Sequence, residues 1–129
     1  MLIREFVDQD WSQVWPITEE VIRAQETFTY DPAMTAEQSY AIWVEAAPGR
    51  TVVAVEGGRV FGTALCRDAL AWARHQGYAG MQFNAVAQSN RSAVELYRRE
   101  GFTVIGTVPG AFRHPTLGRV GLHVMYQEF

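Results

Sequence analysis

Apolar positions recur along this chain with two periods, and each switch between them marks an element. Leu2-Ile-Arg-Glu-Phe6 reads as a short strand. Asp8 then caps a helix running to about Ala24, with Trp11, Val14, Trp15, Val21 and Ile22 at helical spacing as its buried stripe. Pro16 lies inside that helix and removes one backbone donor, which predicts a kink. Glu26-Thr-Phe-Thr-Tyr-Asp-Pro-Ala-Met34 breaks the period, and Asp31-Pro32 is a turn signal. Thr35-x-x-Gln38 is a capping box opening a second helix, with Tyr40, Trp43, Val44 and Ala47 on one face and Pro48-Gly49 at its end.

The period then shortens to two. Thr51–Glu56, Gly57-Gly58 and Arg59–Ala64 predict a β-hairpin, because a two-residue turn needs the positive φ that glycine tolerates. Leu65 to about Gln76 is helical, with Cys66, Ala69, Leu70 and Ala73 on one face and Gly77 as its stop. Met81–Val86 is a strand. Ser89 or Asn90 caps the next helix, in which Ala93, Leu96 and Tyr97 share a face while Arg91, Glu95, Arg98 and Arg99 take the other. Glu95 can reach Arg99 one turn on. Gly101 ends this helix. Phe102–Val108 is a strand, Pro109-Gly110 opens an irregular loop to about Gly118, and Arg119–Gln127 is the last strand. The order is β α α β β α β α β β.

The stretch from Met81 to Phe102 carries more than periodicity. It resembles the second signature of the GNAT superfamily of N-acetyltransferases, a strand followed by N-x-x-A-x-x-L-Y-x-x-x-G-F. The matching residues are Asn90, Ala93, Leu96, Tyr97, Gly101 and Phe102. Six positions at fixed offsets are far more specific than a lone tyrosine. The bland alternative is a well-capped amphipathic helix whose tyrosine is core. The Glu-Thr-Phe stretch followed by a proline, between the first two helices, is similar to the acceptor loop of the phosphinothricin/methionine sulfoximine acetyltransferase branch; that match is shorter. The resemblance implies one α/β domain over 1–129, a mixed central sheet with helices on both faces, and Met81–Val86 parallel to a neighbour through a helical crossover.

One part of the family pattern is missing. GNAT chains have one more strand between the hairpin and the third helix, then a [Q/R]-x-x-G-x-[G/A] loop. Successive N–H groups and the helix dipole there hold the pyrophosphate of acetyl-CoA. Here Ala64 runs directly into Leu65-Cys-Arg-Asp, and Arg67, Arg74 and the Gly-Gly turn do not substitute by spacing. Either an internal segment of the physical protein is absent from this sequence, or the chain is a shortened member.

Composition narrows the chemistry. At 129 residues, 48% of them apolar and 19% charged, the chain can bury a core. A net charge of −3 gives no basic footprint for nucleic acid. All eleven basic residues are arginine, which removes Schiff-base lysines and the P-loop lysine. The single cysteine, Cys66, excludes an internal disulfide and suits a reducing cytoplasm; it reads as a small core residue. No apolar run approaches a membrane span, no signal-peptide core is present, and no membrane partner is expected. His75, His114 and His123 are scattered without metal-ligand spacing, so no metal is expected.

For an enzyme moving an acetyl group from acetyl-CoA to a small-molecule primary amine, the acceptor ammonium must first lose a proton, and the departing thiolate leaves better protonated. By resemblance Tyr97 is the proton donor to sulfur and Asn90 orients the cofactor arm. Asn84 shares a strand face with Gln82 and either hydrogen-bonds across the sheet or meets the cofactor. Glu26 and His123 are candidate bases, with water as a third route; His123 equally fits a satisfied core histidine. Phe28, Tyr30 and the Arg113-His114 pair suit a small anionic acceptor such as an amino acid. The competing class is a non-catalytic binding or interaction domain that keeps the scaffold without the cofactor loop. Whether the chain forms a homodimer stays open.

Overall fold

The computed structural model describes residues 1–61 and 65–129. In chain order the elements are β1 (Leu2–Glu5), a 3-10 turn (Asp8–Asp10), α1 (Trp11–Ala24), α2 (Ala36–Trp43), β2 (Val52–Glu56), β3 (Arg59–Phe61), α3 (Leu65–His75), β4 (Gly80–Ala87), α4 (Arg91–Arg99), β5 (Thr103–His114) and β6 (Gly118–Glu128). The predicted order holds throughout. The expected course of the hairpin strand to Ala64, and its junction with Leu65, fall at 62–64, outside the described residues.

The strands form two three-stranded sheets, β1-β2-β3 and β4-β6-β5. Every pairing among the described residues is antiparallel, which corrects the expected parallel partner for Met81–Val86. The physical reason lies in the sequence: a parallel neighbour needs a strand between the hairpin and α3, and the chain has three residues there. Accordingly β3 pairs with β2 and β4 with β6, and each leaves its other edge without a strand partner among the described residues.

Helices lie on both faces of the first sheet. Val53 and Ala54 are consecutive, so they point to opposite faces, yet they are only 4% and 0% exposed. Ile3 sits opposite Ala54 and lines a cleft with Cys66 of α3 and Leu96 of α4. Arg4 sits opposite Val53 and reaches Asp10, just before α1. The second sheet turns Phe83, Val86, Val104 and Met125 toward α3 and α4, where they pack with Leu70, Val94 and Phe102. Val94 is the most buried residue of α4, whereas the expected stripe of Ala93, Leu96 and Tyr97 is partly exposed. Glu95 and Arg99 form no ion pair; Arg67 of α3 pairs with Glu100 instead, at 2.8 Å.

Two loops differ from expectation. Asp10 rather than Asp8 closes the turn into α1: its carboxylate accepts the Val7 N–H at 3.0 Å and takes both Arg4 nitrogens at 2.7 and 2.8 Å. Asp8 instead accepts the Tyr40 hydroxyl at 2.7 Å, tying α2 to the start of α1. The irregular loop expected from Pro109 is a strand. Between Val108 and Phe112 the register on β6 advances from Leu122 to Val120, so Pro109 and its neighbours bulge out of an edge strand that then continues to His114. A bulge on an edge is where a strand accommodates a residue with no N–H to donate.

The end of α4 is set by a glycine. Gly101 has φ +98°, its N–H reaches the Arg98 carbonyl at 3.1 Å, and the Phe102 N–H reaches the Tyr97 carbonyl at 2.9 Å. This is a Schellman motif.

Two stability predictions follow from these contacts. Gly101→Ala should destabilise the fold by roughly 1–2 kcal/mol in urea unfolding, because an L-residue is strained at that φ; an unchanged midpoint would contradict the motif's role. The Asp10 carboxyl is held below its usual range, chiefly by the Arg4 hydrogen bond, with burial opposing and the Val7 N–H assisting. Its contribution is therefore complete above the unfolded-state pKa, about 3.9, and is lost as pH falls through the lower folded value. Asp10→Asn should lower the urea midpoint at pH 7, and the gap to the parent should close in acid. A gap that stays constant down to pH 2 would show that the charge is not what stabilises.

Candidate active site

Tyr97 occupies the third residue from the end of α4, and the Schellman turn fixes which way it faces. Its ring lies 4.5 Å from that of Phe83 on β4 and 6.0 Å from that of Phe102, while Phe83 stacks on Phe102 at 4.7 Å. Burial pushes the Tyr97 phenol above its usual pKa, and the neighbouring Cys66 adds to the shift. The hydroxyl makes no hydrogen bond among the described residues and therefore remains a protonated, unspent donor at neutral pH.

Beside Tyr97 is a pocket of about 350 Å³ running along β4 from Gln82 to Val86. Phe28, Thr29 and Tyr30 close its far side. Among the described residues β4 has a strand partner only on its β6 side. Asn84 stands in the register irregularity between Phe83 and Val86 and accepts a short hydrogen bond from the Gln82 amide, so the two do share a face. The loop carrying Phe28 and Tyr30 is anchored rather than loose. Phe28 meets the Trp43 ring edge-on at 5.2 Å, Tyr30 lies 6.3 Å from it, and Phe28 and Tyr30 are 5.8 Å apart. The same three loop residues, with Gln25, Ala111, Phe112 and Arg113, line an adjoining cavity of about 200 Å³.

The structure thus brings Tyr97, Asn84, Phe28 and Tyr30 to one pocket. Asn90 lies three residues past the end of β4 as the N-cap of α4; its Oδ1 accepts the Ala93 N–H at 3.2 Å and the Ser92 hydroxyl at 3.1 Å, which leaves its amide nitrogen available. Glu26 is exposed and lines neither cavity. His123 is half-buried on β6, its Nδ1 2.7 Å from the Thr107 hydroxyl, and also lines neither. His114 has its Nδ1 occupied by the Thr116 and Leu117 N–H groups, each at 3.2 Å, so it closes the β5–β6 turn. Its neighbour Arg113, not His114, lines the smaller cavity. Sequence reading overlooked Phe83, which orders Tyr97; its place between two polar residues of a strand was the available signal. Among the described residues no three His, Cys, Asp or Glu side chains gather as a metal site.

Comparison with known proteins bears on this geometry. The acetyltransferase (GNAT) family model matches residues 58–102, which include all of α3, β4 and α4. No curated protein matches the chain. Among solved structures, a GCN5-related N-acetyltransferase from Kribbella flavida is 37% identical, with a TM-score of 0.92 over 99% of this chain and 97% of that one. A structure assigned as a phosphinothricin N-acetyltransferase is 17% identical, with a TM-score of 0.81 over 98% and 97%. A Salmonella typhimurium structure assigned as an acetyltransferase, holding its cofactor acetyl-CoA, is 18% identical, with a TM-score of 0.73 over 99% and 93%. The last two share the fold. With the 37% identity over nearly the whole length and the signature on α4, the chain belongs to the GCN5-related N-acetyltransferase (GNAT) family.

Proposed function

We propose that the chain transfers an acetyl group from acetyl-CoA to the primary amine of a small molecule, an amino acid or analogue of one, in the pocket between β4 and Phe28–Tyr30. The observation that carries this reading is Tyr97: a half-buried phenol with a raised pKa and an unspent hydroxyl, lining a pocket along β4. Acetyl-CoA supplies an acyl group already activated as a thioester. Tyr97 would deliver a proton to the departing sulfur, and its raised pKa keeps that proton in place at neutral pH. The Asn90 amide nitrogen and the exposed backbone of β4 offer donors and acceptors to the cofactor arm. The thioester end therefore fits. The pyrophosphate end has no glycine-rich loop in the sequence, so affinity for the whole molecule should be modest.

The acceptor side is supported by Arg113. Arg113 has no carboxylate partner among the described residues and lines the cavity that adjoins the Tyr97 pocket across Phe28–Tyr30. A guanidinium suits a carboxylate in two-pronged fashion. The acceptor ammonium, with an ordinary pKa near 10.4, must be deprotonated before attack. Neither Glu26 nor His123 lines the pocket, which favours release of that proton to water.

Substitution kinetics and a thermal-shift titration with CoA test this. Tyr97→Phe should lower kcat about 10²-fold with the melting temperature nearly unchanged; undiminished turnover would return Tyr97 to a packing role. A parent chain that shows neither turnover nor a thermal shift with CoA would favour the non-catalytic binding domain. On the acceptor side, Arg113→Gln should raise KM for an acidic acceptor about 10-fold or more while KM for acetyl-CoA holds. Phe28→Ala should do the same, and equal rises in both constants with a lower melting temperature would mark Phe28 as packing alone.

A further inference from the structure

A second concave site lies on the other side of Asn90. The groove between the start of α4 and the β5–β6 hairpin measures about 730 Å³, and Ser89, Arg91, Thr107 and Arg119 supply polar groups to it. Its ten lining residues include two arginines and no acid, in a chain whose net charge is −3. Elsewhere Arg4, Arg23, Arg50 and Arg67 are each paired with a carboxylate. Arg91 and Arg119 have no carboxylate partner among the described residues. Arg119 uses Nε on the Gly110 carbonyl at 2.9 Å, which orients the guanidinium and leaves its terminal nitrogens free of protein partners among the described residues. Arg91 makes no side-chain hydrogen bond there.

Two guanidiniums without counter-charge among the described residues and a lining without any carboxylate define the complement of an anion. Guanidinium groups donate in a planar fork that matches the oxygens of phosphate, and two of them balance a dianion. We propose that this groove binds a phosphate group through Arg91 and Arg119. Two sources share that chemistry. One is the phosphates of acetyl-CoA, for which the sequence offers no glycine-rich cradle; this source rests on the proposed acetyl transfer. The other is a separate phosphorylated ligand, which does not.

The probe is inorganic pyrophosphate, titrated calorimetrically into the full chain. Binding of one equivalent, weakened by added salt and reduced at least 10-fold in the Arg91→Gln/Arg119→Gln variant, is the expected result. Arg91→Gln alone, which breaks no hydrogen bond in the fold, serves if the double variant does not fold and should still weaken binding several-fold. Pyrophosphate that does not bind the parent, or binds parent and variant equally, overturns the proposal. If the same variant raises KM for acetyl-CoA about 10-fold, the coenzyme is the source. If KM holds while pyrophosphate binding is lost, the phosphate belongs to another ligand, and the site stands. Absence of acetyl transfer in a parent that binds pyrophosphate would count against the proposed function and not against this groove.

Discussion

The backbone ties Tyr97 to Phe102 across Gly101. The Phe102 N–H donates to the Tyr97 carbonyl, so the last turn of α4 and the residue just before β5 are one rigid unit. A Schellman turn commonly brings together the side chains at these two positions, and here both rings gather around Phe83 of β4. Through that aromatic trio the turn fixes the angle between α4 and the second sheet. The core of Leu70, Val86, Val94 and Met125 forms against the same face. A phenol whose ring is clamped on two sides keeps its hydroxyl at one place, which a proton donor requires.

The sheet leaves the opposite requirement unmet. Among the described residues β4 is paired on one side only, and the strand lines the Tyr97 pocket from Gln82 to Val86. Unpaired strand groups seek partners, so an edge like this is normally covered. Here Phe28–Tyr30 stands across from it, held by Trp43 of α2. Family membership and the free edge point the same way: an extended ligand can lie where a strand would otherwise pair. Arg113 on one flank and the Arg91–Arg119 groove on another give this acidic chain two local cationic zones, neither neutralised by a carboxylate.

Element order, most boundaries and the signature helix were legible in the sequence because each depends on local chemistry. Thr35 and Gln38 form their reciprocal cap, Gly57 and Gly58 both take positive φ in the hairpin turn, and Asn90 caps α4. Propensity, capping and period act within a turn or two of chain, so sequence spacing carries them. The family signature was legible for the same reason, its six residues spanning one helix and its stop.

Tertiary structure decided the rest. Pro109-Gly110 reads as a loop, yet pairing with β6 carries the strand past it through a bulge. Asp10, not Asp8, receives Arg4, since the choice depends on where β1 lies relative to α1. His114 and Arg113 are adjacent in sequence, but the turn claims one imidazole while the neighbouring arginine lines the cavity. Tyr97, Asn84, Phe28 and Tyr30 come from three separate segments, and no spacing rule could place them in one pocket. Local chemistry determines what each segment becomes; which segments share a pocket depends on contacts between residues far apart in sequence, and those exist only once the chain has packed.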